Sequence, residues 1–431
     1  MFKKTLIVIL CLVCVTNFLH SQNVAKLINE SETERIEKYL SSDELAGRQI
    51  YTPGIEMAAK FIANEFKQNG LATFKNSDSH LQSFTRISAK FISAAGNFDG
   101  NNIDTKNIIA ITSEANVDIN EKSGYEVVKI SKEDNLFLTV RKYMTNNKNY
   151  LILVDEALGA NFGRLVQLKS GLSEQQKSFF IVLTNQTPTQ YKLQATHKID
   201  KLSLSNVVGI IPGKSLPNEY VIFSGHYDHL GVNGKRAVNG DSIYNGANDD
   251  AAGTTAMIML SKYYSALANN ERTLVFAAFT AEESGGFGAQ YFSKQFDPLQ
   301  VKAMFNIEMI GTESKWGKNS AYITGYEKTD MGVILQKNLQ GTDFQFHPDP
   351  YTDQNLFYRS DNATLARLGV PAHTISTSKM DNEPNYHKPS DEFSTLDIAN
   401  MTQIIKAIAK SAQSIISGKD TPTRVDTTQL K

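Results

Sequence analysis

From Asn206 onward, short and nearly continuous apolar runs recur along the chain: "NVVGIIPG", "EYVIFSG", "RTLVFAAF", "VKAMFNIEM", "SAYIT" and "PAHTIS". Several precede stretches with helical spacing, such as "TTAMIMLSKYYSALAN" and "MGVILQKNLQ". Strands that are apolar on both faces, alternating with helices, predict an α/β fold: a mostly parallel mixed sheet covered by helices on both faces. This domain is expected over residues 205–417, closed by a helix in "IANMTQIIKAIAKSAQSIIS". In such sheets ligands bind beyond the carboxyl ends of the strands.

Upstream, residues 22–84 predict helices of the same domain. Ser31 and Glu34 form a capping-box pattern before the first. The second starts at Pro53, places Ile55, Met57, Ala58, Phe61, Ile62 and Phe66 roughly on one face, and stops at Gly70. Residues 85–204 are less regular, with short apolar runs such as "NYLILVD" and "SFFIVLT" among polar loops. They are expected as a smaller inserted or appended β-rich segment. The polar residues 418–431 are expected as a flexible tail.

The first 21 residues change the picture. Lys3 and Lys4 precede an apolar run from Leu6 to Leu19 and then a small-polar stretch at Ser21. This is the pattern of a secretory signal peptide rather than a membrane span, so the mature chain is expected to be exported, periplasmic or secreted, with no stable membrane span. Both cysteines, Cys11 and Cys14, fall within the signal, which leaves the mature chain without disulfide, thiolate ligand or thiol nucleophile. Bulky Val13 before Cys14 argues against a lipid anchor there. Lys+Arg 44 against Asp+Glu 45 gives a formal net charge of -1, with no basic field for nucleic acid.

Candidate chemistry gathers just after the strand runs. "VIFSGHYDHLG" carries His226, Asp228 and His229; "NGANDDAAG" carries Asp249 and Asp250; "LVFAAFTAEESGGFG" carries Glu282 and Glu283. "FNIEMIG" holds Glu308 among apolar neighbours, where an acid needs a partner, and "NYHKPSDE" brings His387. Zinc takes imidazole and carboxylate ligands, and a pair of zincs sharing one carboxylate needs about five protein ligands. His226, Asp249, Glu283, Glu308 and His387 supply that number. His226 and Asp228, two apart in an extended segment, project to one side, so Asp228 is placed to hold the second ring nitrogen of His226. By the same alternation His229 faces away if the segment stays extended, and it is expected to be structural or a neighbour of the ligands rather than a ligand itself. Adjacent Glu282 and Glu283 point in different directions, so one can bind metal while the other takes a proton. His80, His197, His347 and His373 fall in no such cluster. No G-x-S-x-G elbow follows any strand, which disfavours a serine hydrolase.

These motifs, "GHYDHLG", "YNGANDDAAG", "FTAEESGGFG", "FNIEMIG" and "NYHKPSD", with "LSSDELAGRQIYTPGIEMAAKFIANEF" upstream, resemble the co-catalytic di-zinc exopeptidases. That family includes aminopeptidase Y, bacterial leucyl aminopeptidases and glutamate carboxypeptidase, with glutaminyl cyclases as relatives. The resemblance spans most of the mature chain and is weakest over about 85–205. It implies two Zn2+ per chain, one held by His226, Asp249 and Glu308 and the other by Asp249, Glu283 and His387, with Asp249 as the bridge in preference to Asp250. It implies Glu282 as general base and acid, Asp228 as the outer partner of His226, and Tyr386 as an oxyanion donor. The implied activity is aminopeptidase action on peptide substrates, with glutaminyl cyclisation and a metal-free binding homologue as alternatives. Two departures stand out: Glu308 replaces the family's usual Asp, and Ser360, Asp361 and Asn362 replace its S-D-H.

Overall fold

The computed structural model describes residues 26–169 and 171–430. The expected signal segment, residues 1–21, lies outside the described residues. The chain forms two compact units: one holds the described residues up to Ser83 together with those from Leu204, the other Phe84–Ser203.

In the first unit, the strands Arg272–Phe279, Leu216–His226, Val301–Ile307 and Ala372–Ser376 lie side by side and parallel. Ser320–Ile323 adds antiparallel beyond Ala372–Ser376, and Gln345–Pro348 pairs parallel with it at the edge. On the other side, residues 207–211 of the long strand Tyr191–Ile211 run antiparallel to Arg272–Phe279. The sheet is thus mixed around a parallel centre.

Strand alternation divides the core between the two faces. Val221, Phe223, Leu274, Phe276 and Ala278 join one apolar cluster, with residues of the helices Glu30–Leu40, Pro53–Gln68, Ala252–Leu267 and Ile398–Ser411. Ile222, Val275, Ala277 and Phe279 join another, with Ala289 and Phe292 of the helix Phe287–Ser293. Burial on both faces is why these strands read as continuous apolar runs.

Two expectations need correction here. The first helix begins two residues earlier than the capping box suggests, because Asn29 is the cap and its side chain accepts the Glu32 amide. The stretch expected as a flexible tail packs onto the unit. Val425 is buried in the second apolar cluster, and Arg424 Nη1 donates to the carbonyls of Pro298 and Val301 at 3.0 and 2.9 Å.

The second unit is built on a sheet in the order Ile108–Ile111, Phe179–Leu183, Tyr150–Val154, Glu126–Ile130. The first pair is antiparallel and the others parallel, with the helix Leu136–Met144 making the crossover between two parallel neighbours. Among the described residues, no helix of either unit is long and apolar enough to cross a membrane.

Candidate metal centre

The site lies at the carboxyl ends of the parallel strands. His226 is the last residue of its strand and pairs in register with Phe279, the last of the next. Glu282 and Glu283 follow that second strand within four residues, and Glu308 follows Ile307 directly.

Asp249 sits in the tight turn that leads into the helix Ala252–Leu267. A cis peptide joins it to Asp250, and the two carboxylates have different surroundings. Asp250 accepts backbone amides from His226, Gly253 and Met309 at 3.2, 2.9 and 3.1 Å, which ties three segments together and makes it structural. A Cβ at Gly253 would lie 1.9 Å from the Ile307 carbonyl, so only glycine lets this turn sit against the end of the Glu308 strand.

Asp249 faces the imidazoles. Its Oδ1 is 3.2 Å from His226 Nε2 and its Oδ2 is 3.2 Å from His387 Nε2. His387 Nε2 is also 3.2 Å from Glu283 Oε1, and His229 Nδ1 is 2.9 Å from that same oxygen. Two ligand-capable groups result, His226–Asp249–Glu308 and His229–Asp249–Glu283, and both contain Asp249. Four of the five ligand positions expected from sequence fall in these groups, and His387 touches both carboxylates of the second.

His229 was expected to face away and does not. Strict alternation requires extended chain, but the strand stops at His226, and the segment beyond it brings His229 against Glu283. The role expected for Asp228 also changes. Its backbone carbonyl, not its carboxylate, meets His226 Nδ1 at 3.1 Å, while the carboxylate is 3.8 Å away. That carboxylate instead accepts the amides of Glu282 and Glu283 at 3.0 and 3.3 Å and so fixes the turn carrying both acids.

Two residues inside the quoted motifs carry roles that spacing alone did not suggest. Asp391 of "NYHKPSDE" accepts the amides of Asn248 and Asp249 at 2.9 and 3.0 Å, which orients the Asp249 turn. Arg48 of "LAGRQ" is fully buried and donates to the carbonyls of Tyr227, Asn245 and Gly246 at 2.8, 2.5 and 2.9 Å. It thereby clamps the two loops that bear His226 and Asp249. Asp43 and Glu44 lie five and four residues before Arg48 and read as local partners for it, so the spacing carries no signal that singles out such a clamp.

The electrostatics of the cluster call for cations. Among the described residues, no Lys or Arg forms an ion pair with Asp249, Glu282, Glu283 or Glu308. Burial, with Glu308, Asp361 and Glu283 nearby, holds the Glu282 carboxyl well above the usual range. Burial likewise raises Glu308, and it pushes Asp361 up to about 8. Burial would lower His387, yet Asp249 and Glu283 carry it up to about 10. His226 Nε2, both ring nitrogens of His229, Glu283 Oε1 and Glu308 Oε2 are buried and find no hydrogen-bond partner of good geometry among the described residues. Imidazole nitrogens and carboxylate oxygens left unbonded around a shared aspartate are a donor set that fits zinc.

A cleft of about 90 Å³ opens on this cluster, lined by Glu282, Tyr386 and His387 together with the apolar Met309, Leu356 and Met380. The rings of Tyr386 and His387 stack at 3.9 Å. Burial and the neighbouring carboxylates keep the Tyr386 phenol protonated, so it can donate a hydrogen bond.

Residues 206–412 match the family model described as Peptidase family M28. The chain is similar to a probable leucine aminopeptidase of Trichophyton verrucosum (strain HKI 0517), 29% identical over 220 residues, 48% of this chain and 57% of that protein. It is also similar to a probable zinc metalloprotease of Pyrenophora teres f. teres (strain 0-1), 33% identical over 112 residues, 26% of this chain and 23% of that protein. The matched region thus spans no more than 57% of the length of these relatives. Among solved structures, the fold is similar to the aminopeptidase from Aneurinibacillus sp. strain AM-1, with TM-score 0.54, 17% identity and coverage of 91% of this chain and 95% of that one. It is similar again to a Peptidase M28 precursor from Shewanella amazonensis SB2B, with TM-score 0.51, 12% identity and coverage of 95% and 99%.

Proposed function

From the premise that this chain carries a Peptidase family M28 domain over residues 206–412, we propose that it is an exported zinc aminopeptidase acting on peptide substrates. The observation that carries this reading is Asp249, shared between two ligand-capable groups with the Glu282 carboxyl in the same cleft. The names of the similar proteins point the same way. Export rests on the N-terminal segment, and cell fractionation with N-terminal sequencing of the mature chain tests it.

His226, Asp249 and Glu308 would hold one zinc, and Asp249, Glu283 and His387 a second, with His229 placed to fix or replace His387 at Glu283. Zinc at these positions would supply Lewis-acid polarisation of the scissile carbonyl and acidification of water. Glu282 takes the proton of the attacking water and returns it to the leaving amine, so one carboxyl serves as base and then acid. Its position depends on Asp228, which holds the amides of Glu282 and Glu283. Tyr386 donates to the oxyanion of the tetrahedral adduct.

A panel of aminoacyl amides and N-blocked peptides, assayed with and without a chelator, tests the reading. Cleavage of free but not blocked N-termini, lost on chelation, is expected. Glu282→Gln should lower kcat by about a thousandfold or more while metal content stays unchanged. Near-normal turnover in that variant removes Glu282 from the role, and a glutaminyl peptide that is cyclised without release of an amino acid replaces hydrolysis by cyclase chemistry.

A further inference from the structure

The unit Phe84–Ser203 contains a cavity of about 650 Å³, within the range of small-ligand pockets. Its walls are largely apolar, from Ala89, Phe91, Ile108, Ile109 and Val166, with Lys169 among them. Lys169 is only 8% exposed. Among the described residues, no carboxylate lies within ion-pair distance of its ammonium. Among the described residues, Lys169 Nζ meets His197 Nε2 at 3.4 Å and the face of Phe91, with 5.1 Å to the ring centre. An ammonium has three N–H donors, and His197 can accept only one of them. The other lysine on the wall, Lys106, is already paired with Asp104 at 2.9 Å.

A buried cation without a counter-ion, set in an apolar cavity, is complementary to an anion on a hydrocarbon body. We propose that this cavity binds an apolar monocarboxylate, whose carboxylate pairs with Lys169 and whose hydrocarbon lies along Ala89, Ile108, Ile109 and Val166. A single unpaired ammonium matches a single negative charge, whereas a phosphate would need further cations that the walls lack. A neutral apolar ligand would leave the ammonium donors unmet, at a cost that a carboxylate removes. Desolvation lowers the Lys169 ammonium to about 8, so it remains largely charged at neutral pH. Phe91 and Val166 are half-exposed at the rim and leave the cavity open to solvent.

Isothermal titration of the purified full chain with octanoate tests this, with octan-1-ol, octylammonium and acetate as comparators. Saturable one-site binding of octanoate, at least tenfold tighter than any of the three, is expected. Lys169→Met should weaken octanoate at least tenfold without lowering the unfolding temperature, because it removes a buried unpaired charge. Val166→Trp, at the exposed rim, should fill the cavity and weaken octanoate and octanol alike. Octanol binding as tightly as octanoate, no saturable heat with octanoate, or unchanged affinity in Lys169→Met each overturns the proposal. The wild-type comparison decides even if a variant fails to fold.

Discussion

Glu308 stands one residue beyond its strand, held by its own amide to the Ile375 carbonyl at 3.1 Å, with Oε2 buried and unbonded. An apolar strand ending in such an acid is legible in sequence as a demand for a counter-charge. Which cation answers it depends on residues 59 and more positions away. Glu308→Gln keeps the shape and removes the charge, so it should weaken one of two zincs at least tenfold more than the other in a stepwise chelator titration. Equal loss at both, or no loss, would make this glutamate a structural residue. Glu37 poses the converse case, a fully buried acid outside the cleft lining that accepts the Thr255 hydroxyl at 2.7 Å. Burial pushes its pKa up to about 8, against the opposing effects of Thr255 and Arg48. The folded chain therefore keeps a proton that the unfolded chain releases above its ordinary 4.5. Stability from this group is present below that value and is lost as pH rises toward 8, at no more than about 1.4 kcal/mol per pH unit. Glu37→Gln retains an acceptor for Thr255 and should flatten the fall in unfolding temperature between pH 5 and 8, whereas an unchanged slope would assign that fall to other groups.

At the scale of elements, the helices and parallel strands follow from apolar periodicity because each buries a face that its own residues define. The turns between them do not follow this way. His229 shows the limit, since period-two alternation ends with the strand and the loop geometry then decides where its ring points. The role of Asp228 changed for a related reason, as the amides of Glu282 and Glu283 claim its carboxylate. Arg48 belongs to this scale as well, because one guanidinium fixes the Tyr227 segment and the 245–246 turn together. Arg48→Ala would leave several buried carbonyls without donors and should cost more than about 3 kcal/mol of stability. Arg48→Lys cannot span the same acceptors and should keep the fold while weakening metal affinity. Far-UV circular dichroism and metal titration of both variants separate the two effects, and native metal affinity in a folded Arg48→Lys protein would deny the clamp any part in shaping the site.

For the whole molecule, the last residues illustrate how composition can mislead. Residues 418–431 read as a polar tail, yet Arg272 donates to the Asp420 carbonyl at 2.8 Å and to the Thr421 hydroxyl at 2.5 Å, and Thr423 pairs with Asp330. Ending the chain at Lys419 should expose the apolar cluster around Val425 and lower the unfolding temperature by several degrees, as read by calorimetry. An unchanged temperature would return this stretch to the status of a tail. By itself the sequence determined the α/β class, the strands and helices of the sheet, and the acids and imidazoles that line the strand ends, because periodicity and strand order are local properties that place those ends on one side. Tertiary structure alone decided that His229 joins the shared Asp249, that Asp391 and Arg48 set the turn, and that Lys169 stands in a cavity without a counter-ion among the described residues. Each of these depends on distances between segments far apart in the chain, and such distances are fixed only when the whole core packs.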